Sequence, residues 1–436
     1  MHRLSDHVLN LSLLRKIISL SAVRITGIVL CLVGLFCLTA CSFQLRIQPE
    51  PEQNEPLQGQ ILLWIELPST ETEGQTGSIQ QVVQSSLEGF KELYPQVKVF
   101  VETFPFRQIQ TPLQSQIQRG AGPDLVGVRA NPELIGIIKT GLLRMVDETD
   151  LRASQFRTEA LKNIRYQGKN YGLPLFLTTQ VLCYNKTKVE TLPNTLEELI
   201  QQARQGYSVG LISGFLETYW GVGSFGGKSF ENQDTFNNQQ WRAWSQWLAW
   251  LKEAQNEPNF ILSDNVSTLR QSFLNGQLAY LGCRSDWLSD FSQVLDKETL
   301  GVTLLPGQSN QPASPILETG IIAFSQASST KQHQLALRLA QFLTNAEQQK
   351  RIEAAIPFIP SNKLVKINPQ LFPIRATLQD QAKQALAIPL DEMEQSEVVV
   401  ERGNSLYQQV LAGEISVNKA EAEIKATVQQ EFGLEG

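Results

Sequence analysis

Acid–base, nucleophilic and metal chemistry each need particular side chains, and this chain is short of most of them. Its 436 residues include three histidines, of which His2 and His7 fall in the first forty, leaving His333 alone for the rest. A Ser–His–Asp relay or a histidine-based zinc site cannot be assembled from one imidazole. Gly221-Val222-Gly223-Ser224-Phe225-Gly226 spells GxGxxG. A dinucleotide loop must join a strand to the helix that caps the pyrophosphate, whereas this stretch follows the helical turn FLETYW. No cofactor and no metal is therefore expected. Carboxylates are what remains: Glu66, Glu217 and Glu318 could in principle converge, as a paired acid and nucleophile do in a glycosidase.

Charge narrows the partners. The chain carries 37 basic and 43 acidic residues, a formal charge of −6. The first forty residues hold four of the basic groups and one of the acids, so the remainder carries 33 against 42, or −9. Nucleic acid wants a basic stripe, and none is expected as a partner. Apolar residues at 42% and charged residues at 18% fit a folded chain, and 436 residues exceed one ordinary core. Two domains or two lobes are predicted.

The leader reads as an address. Arg15, Lys16 and Arg24 precede the fourteen-residue apolar run Ile25–Leu38, too short to span a bilayer and right for a signal peptide. The run ends in Leu38-Thr39-Ala40-Cys41, which resembles a bacterial lipobox; residues 1–40 are then a lipoprotein signal peptide and Cys41 the lipidated N-terminus. Residues 41–59 follow as a Pro-, Gln- and Glu-rich tether, able to reach about 50 Å when extended. Cys31 and Cys37 leave with the leader, so the body keeps Cys183 and Cys283. An oxidising compartment permits a bridge between them, but two buried free thiols are the plainer expectation.

The elements that must position any site alternate. Gln60–Glu66 is a short apolar strand, and Ile79, Val82, Val83, Leu87, Phe90 and Leu93 keep helical spacing up to Pro95. Val97, Val99 and Val101 alternate as a strand; Ile109, Leu113 and Ile117 mark a second helix; Asp124–Val128 is another strand. Asn131 is a plausible N-cap, with Pro132 at the first helical position and Gly141 as the stop. Ser208–Ile212, Ala279–Cys283, Val302–Leu304 and Ile321–Phe324 continue as strands, and Gln332–Thr344, Gln379–Leu386 and Val417–Glu431 as helices. This order implies a sheet covered by helices on both faces. In Trp241–Trp250, three-residue steps of about 300° spread four Trp over half a helix. Trp241, Trp244, Leu248 and Leu251 form a core-facing stripe, with Trp247 and Trp250 to its side and partly exposed.

Several stretches, taken in order, resemble the family-1 extracellular solute-binding proteins, the maltose-binding-protein-like group. They are Gly120-Ala121-Gly122-Pro123-Asp124-Leu125-Val126, then Gly168-Lys169-Asn170-Tyr171-Gly172-Leu173-Pro174, then Tyr184-Asn185-Lys186. Pro193-Asn194-Thr195-Leu196-Glu197-Glu198-Leu199 is similar to the family's P-x-TWEEL with Leu196 in place of Trp, and Phe273-Leu274-Asn275-Gly276-Gln277-Leu278-Ala279 to its F-x-x-GKAA. Asp286-Trp287, Ile356-Pro357 and the Leu411-Ala412-Gly413 turn complete the set, from about residue 60 to 430. The resemblance implies an α/β type II periplasmic-binding fold: two α/β lobes joined by crossover segments, with a ligand cleft between them. Lobe 1 would comprise residues 60–175 and 318–355 and lobe 2 residues 176–317 and 356–436, the chain crossing near Leu175–Thr179, Leu305–Thr319 and Ala355–Phe358.

It also implies a function, a lipid-anchored receptor in the cell envelope that captures a solute and hands it to an ABC permease, acting as a monomer and not as an enzyme. The alternatives are an exported carbohydrate hydrolase and a sensor subunit serving a membrane kinase. A sugar-binding cleft needs aromatic faces for ring carbons and planar polar groups for hydroxyls. Trp64 and Glu66 end the first strand, where ligands gather in such sheets, although Trp64 reads equally as core. Arg129 and Asn131 follow the Pro-Asp strand, Asn131 with its rival role as a cap, while Asp124 is structural. Thr178 lies on the first crossover, where a relative carries an acid; Phe215, Glu217 and Trp220 follow the strand SVGLIS; Glu318 and Thr319 flank the second crossover. Trp287 aligns with the family's stacking indole, its rival role being core packing. Aromatic residues outnumber cations among these candidates, so a mono- or oligosaccharide or a polyol glycoside is expected.

Overall fold

The computed structural model describes residues 57–67, 73–227, 238–308 and 310–433. Residues 1–56, with the expected signal peptide, Cys41 and most of the expected tether, lie outside the described residues. Fourteen strands, taken in chain order, build two sheets and a small hairpin. They are β1 (Gly59–Leu67), β2 (Val97–Pro105), β3 (Leu125–Arg129), β4 (Leu143–Arg144), β5 (Arg165–Tyr166), β6 (Lys169–Asn170) and β7 (Leu173–Thr178). β8 (Gln180–Asn185), β9 (Val209–Ile212), β10 (Phe260–Ser263), β11 (Tyr280–Arg284), β12 (Leu300–Thr303), β13 (Glu318–Ser325) and β14 (Ile359–Pro360) follow.

The first sheet runs β14-β7-β13-β3-β1-β2 with β4 beside β13; the second runs β10-β9-β11-β8-β12. In each, a parallel unit (β2-β1-β3, β10-β9-β11) is joined by a strand lying antiparallel to it, β13 in the first and β8 in the second. The chain therefore weaves between two lobes, the architecture expected from the resemblance. Local chemistry fixes the elements as anticipated. Asn131 caps helix Pro132–Lys139 by accepting from Leu134 N at 3.0 Å. Asp124 accepts from Leu62 N at 2.9 Å and from Ser328 Oγ at 2.6 Å, so it ties β1 to the turn after β13.

One expectation is sharpened and two are corrected. The first crossover narrows to Thr179, since β7 keeps the chain in the first sheet through Thr178. The last crossing comes after Pro360 rather than at Ala355–Phe358. Ile359 and Pro360 still pair with Leu177 and Phe176, and Ser361 Oγ donates to Pro174 O at 2.7 Å, which holds this stretch on the first lobe. Cys183 and Cys283 are not free thiols: they form a disulfide between β8 and β11, with Cα atoms 5.8 Å apart, because the antiparallel register sets them diagonally on one face.

The Trp-rich helix, Asn238–Ala254, packs inward more than its spacing implies. Trp241, Trp244 and Trp247 are all buried, and only Trp250 is partly exposed, stacked on Trp247 at 4.9 Å. Trp247 gains its place because Gly221 leaves room; a Cβ there would sit 2.3 Å from the indole. Gly223 likewise abuts Ser314. Gly221 and Gly223 of the GxGxxG stretch thus serve close packing, within the short helix Trp220–Ser224.

Candidate functional site

The two crossover strands and the strand ends beside them meet at one place. Register pairs Glu318, the first residue of β13, with Thr178, the last of β7; it pairs Arg284, the last of β11, with Gln180, the first of β8. Arg129 ends β3 and reaches into the same spot from the first lobe. Its Nη1 donates to Glu318 Oε2 at 2.9 Å and to Thr178 Oγ1 at 3.3 Å, and its Nη2 to Asp286 Oδ2 at 3.1 Å. Arg284 forks onto Glu318 at 3.0 and 2.8 Å and onto Asp286 at 3.1 and 3.3 Å. Two cations and two anions therefore satisfy one another, the bidentate geometry that guanidinium favours.

The quartet fixes its own protonation. Burial by itself would raise the Glu318 carboxyl, but the Arg284 charge and hydrogen bonds, joined by Arg129, outweigh it and hold the group far below the carboxylate range. Asp286 is lowered in the same way: burial opposes, and Arg284 and then Arg129 prevail. Glu318 thus stays ionised and cannot be the protonated acid a glycosidase requires.

Beside the quartet lies a cavity of about 150 Å³, lined by Thr178, Gln180, Glu217, Arg284, Trp287 and Glu318 among others. Glu217 is exposed there, and its backbone oxygen accepts from Gln180 Nε2 at 2.8 Å. Trp287 is only 7% exposed and packs near Phe291, with ring centroids 6.2 Å apart. Arg270 lies 5.1 Å from the indole centroid and pairs with Asp290 at 2.7 Å, so part of the Trp287 ring is already covered by that guanidinium.

Of the residues proposed from sequence, the fold brings together Arg129, Thr178, Glu217, Trp287 and Glu318. It places five others elsewhere. Trp64 is buried in the first lobe's core against Phe104, at 4.4 Å. Phe215 and Trp220 are buried in the second lobe's core, against Trp244 and Trp247 respectively. Thr319 is fully buried and donates to Asn163 Oδ1 at 2.8 Å, and Asn131 is buried with its Oδ1 engaged in the helix cap. Strand alternation turns Trp64 and Thr319 inward, and Phe215 and Trp220 pack against the Trp-rich helix. Glu66 does not line that cavity, although it also accepts a backbone hydrogen bond from Arg129, a member of the quartet. It accepts from Arg107 N, and burial, then the nearby Glu133 carboxylate, push its carboxyl up to about 7 against the pull of that amide. Arg284 and Asp286 are the site residues that sequence reasoning left out. Their one visible signal was Arg-x-Asp-Trp at the end of a strand. Among the described residues, no group of three or more His, Cys, Asp or Glu could hold a metal ion, and no helix is long and apolar enough to cross a membrane.

A two-lobed α/β fold with a pocket at its crossovers defines a class of solute receptors. Residues 86–371 match the family model described as bacterial extracellular solute-binding protein, and the chain belongs to that family. It is 30% identical over 151 residues to the maltotriose-binding protein of Pyrococcus abyssi, covering 34% of this chain and 31% of that protein. It is 22% identical over 344 residues to the galactooligosaccharide-binding protein of Bacillus subtilis, covering 74% of this chain and 80% of that one. The chain thus spans about a third of the length of the archaeal relative. The crystal structure of a cyclo/maltodextrin-binding protein complexed with maltotetraose superposes with a TM-score of 0.71 at 21% identity, covering 87% of this chain and 99% of that one.

Proposed function

We propose that this protein is the receptor subunit of an ABC importer, taking up an oligosaccharide and delivering it to a membrane permease. The observation that carries the reading is the pocket at the crossovers. It joins the Trp287 indole to a mutually neutralised quartet and to the exposed Glu217 carboxylate, which offer partners to sugar hydroxyls. Relatives that bind maltotriose and galactooligosaccharide support a neutral sugar of that size. Catalysis has no support in the pocket, where Glu318 is locked between two arginines.

Titration calorimetry with maltotriose and with a galactooligosaccharide tests the assignment. Trp287→Ala should weaken binding of the better ligand by about 2 kcal/mol, the scale of a binding hot spot, with modest loss of stability. Near-native affinity in a folded variant would reject the stacking role. The lipid anchor is part of the same proposal. Cys41→Ser should release the protein from the membrane fraction or leave an uncleaved precursor; fractionation and migration identical to wild type would refute lipidation.

A further inference from the structure

Arg129 enters the pocket's edge from the opposite lobe to Asp286, and neither is on the exposed rim. We propose that Arg129 is a positioning residue that couples closure of the two lobes to placement of the solute-facing Trp287, through its ion pair with Asp286. This rests on the receptor reading above for its ligand, though not for its conformational half.

Both ends of the pair are rigidly mounted. On the first lobe, the Arg129 guanidinium lies 5.7 Å from the centroid of Phe176, which stacks on Phe358 at 4.2 Å and 10°. Phe176 in turn packs over Gly320, where a Cβ would come within 2.4 Å of the ring. On the second lobe, Asp286 belongs to the single turn Ser285–Trp287 that follows β11, so it is covalently next to the indole. Ser285 Oγ accepts from Thr179 N at 3.1 Å and ties this turn to the one-residue first crossover. A pull on Asp286 is therefore delivered to Trp287 and to the hinge together. Glu318, at the second crossover, is gripped from both sides, by Arg129 and by Arg284.

Opening the lobes separates the end of β3 from the turn after β11. Asp286 and Glu318 would keep Arg284, while Arg129 would lose Asp286. Arg129 keeps Glu318 on its own lobe and Asp286 keeps Arg284, so opening costs the buried charge-assisted hydrogen bond between Arg129 and Asp286, which biases the pair toward the closed arrangement. A separate ion pair between the first lobe and helix Met393–Leu411, Lys139 with Glu394, is about half exposed on both sides and open to screening by salt. It cannot impose the same bias.

The test uses the soluble body in three forms: wild type, Arg129→Met, and Arg129→Met with Asp286→Asn. The double variant keeps the Arg284–Glu318 pair and local neutrality, so it remains informative if the single variant fails to fold. Small-angle scattering without sugar should show a larger radius of gyration in the folded variants than in wild type. Maltotriose or galactooligosaccharide, whichever binds wild type, should bind at least tenfold more weakly, the result of a tenfold smaller closed population. At saturation the radius should contract to the wild-type value. A purely structural arginine would lower the melting temperature and leave the folded protein's radius and affinity alone. Either an unchanged radius without sugar or an unchanged affinity overturns the proposal. If wild type binds neither sugar, the receptor assignment fails on that count, and the radius without sugar still decides the coupling.

Discussion

Removing the Cys183–Cys283 bridge should lower the stability of the second lobe by about 4 kcal/mol, to the point where a chemical-denaturation midpoint falls clearly. The bridge spans a sequence separation of 100 residues, and closing a loop of that length removes on the order of 4 to 5 kcal/mol of denatured-state entropy in the chain model. The enclosed segment holds β9, β10 and the Trp-rich helix. Both sulfurs are fully buried in a core that also contains Phe273, Leu281 and Trp287, so solvation of the freed thiols gives little back. Urea titrations of wild type with and without reductant, and of Cys183→Ala with Cys283→Ala, measure the effect. Reductant should act only after partial unfolding exposes the bond, and should leave the double variant unchanged. Coincident midpoints for wild type and the double variant would show that the bridge contributes nothing.

What the sequence disclosed and what it hid follow from how local each determinant is. β1 to β3 and helix Pro132–Lys139 were legible because their signals sit within a few residues: alternating Val, a Pro at the first helical position, an Asn cap. Helix Met393–Leu411 went unread although Val399, Leu406, Tyr407 and Val410 are buried at helical spacing. Gly403 interrupts that stripe, and its role is visible only in three dimensions, where a Cβ would come within 2.4 Å of the Phe215 ring. The same helix explains why Phe215 is not in the cleft. It is buried between that helix and Trp244, and Asn404 Oδ1 accepts from its backbone N–H at 2.8 Å.

The site was half legible for a similar reason. Glu318 and Thr178 were found because they flank crossovers that the resemblance located. Arg284 and Asp286 were passed over because a charged pair after a strand reads as a solvated rim. Only the approach of Arg129 from 157 residues away makes Asp286 part of a buried quartet. The Cys pair is the sharpest case: spacing says nothing about two strands that the fold lays side by side, and the β8–β11 register decides the matter.

Glu66 should make the protein less stable as pH rises from about 4.5 to about 7. Its carboxyl is ordinary in the unfolded chain, near 4.5, and is pushed up to about 7 in the fold by burial and by the facing Glu133 carboxylate. Between those values the native state holds a proton that the unfolded chain has released, so each step up in pH favours unfolding. The full penalty is reached above pH 7 and amounts to about 3 kcal/mol, since each unit of displacement is about 1.4 kcal/mol. Below pH 4.5 both states are protonated and the penalty vanishes. Glu66→Gln keeps an acceptor for the Arg107 N–H and replaces the repelled anion with an amide that can donate toward Glu133. The variant should therefore match wild type near pH 4.5 and exceed it by up to about 3 kcal/mol at pH 8. Urea midpoints of both proteins at half-unit steps from pH 4.5 to 8 give the comparison. Parallel profiles across that window would mean that Glu66 titrates as an ordinary surface acid.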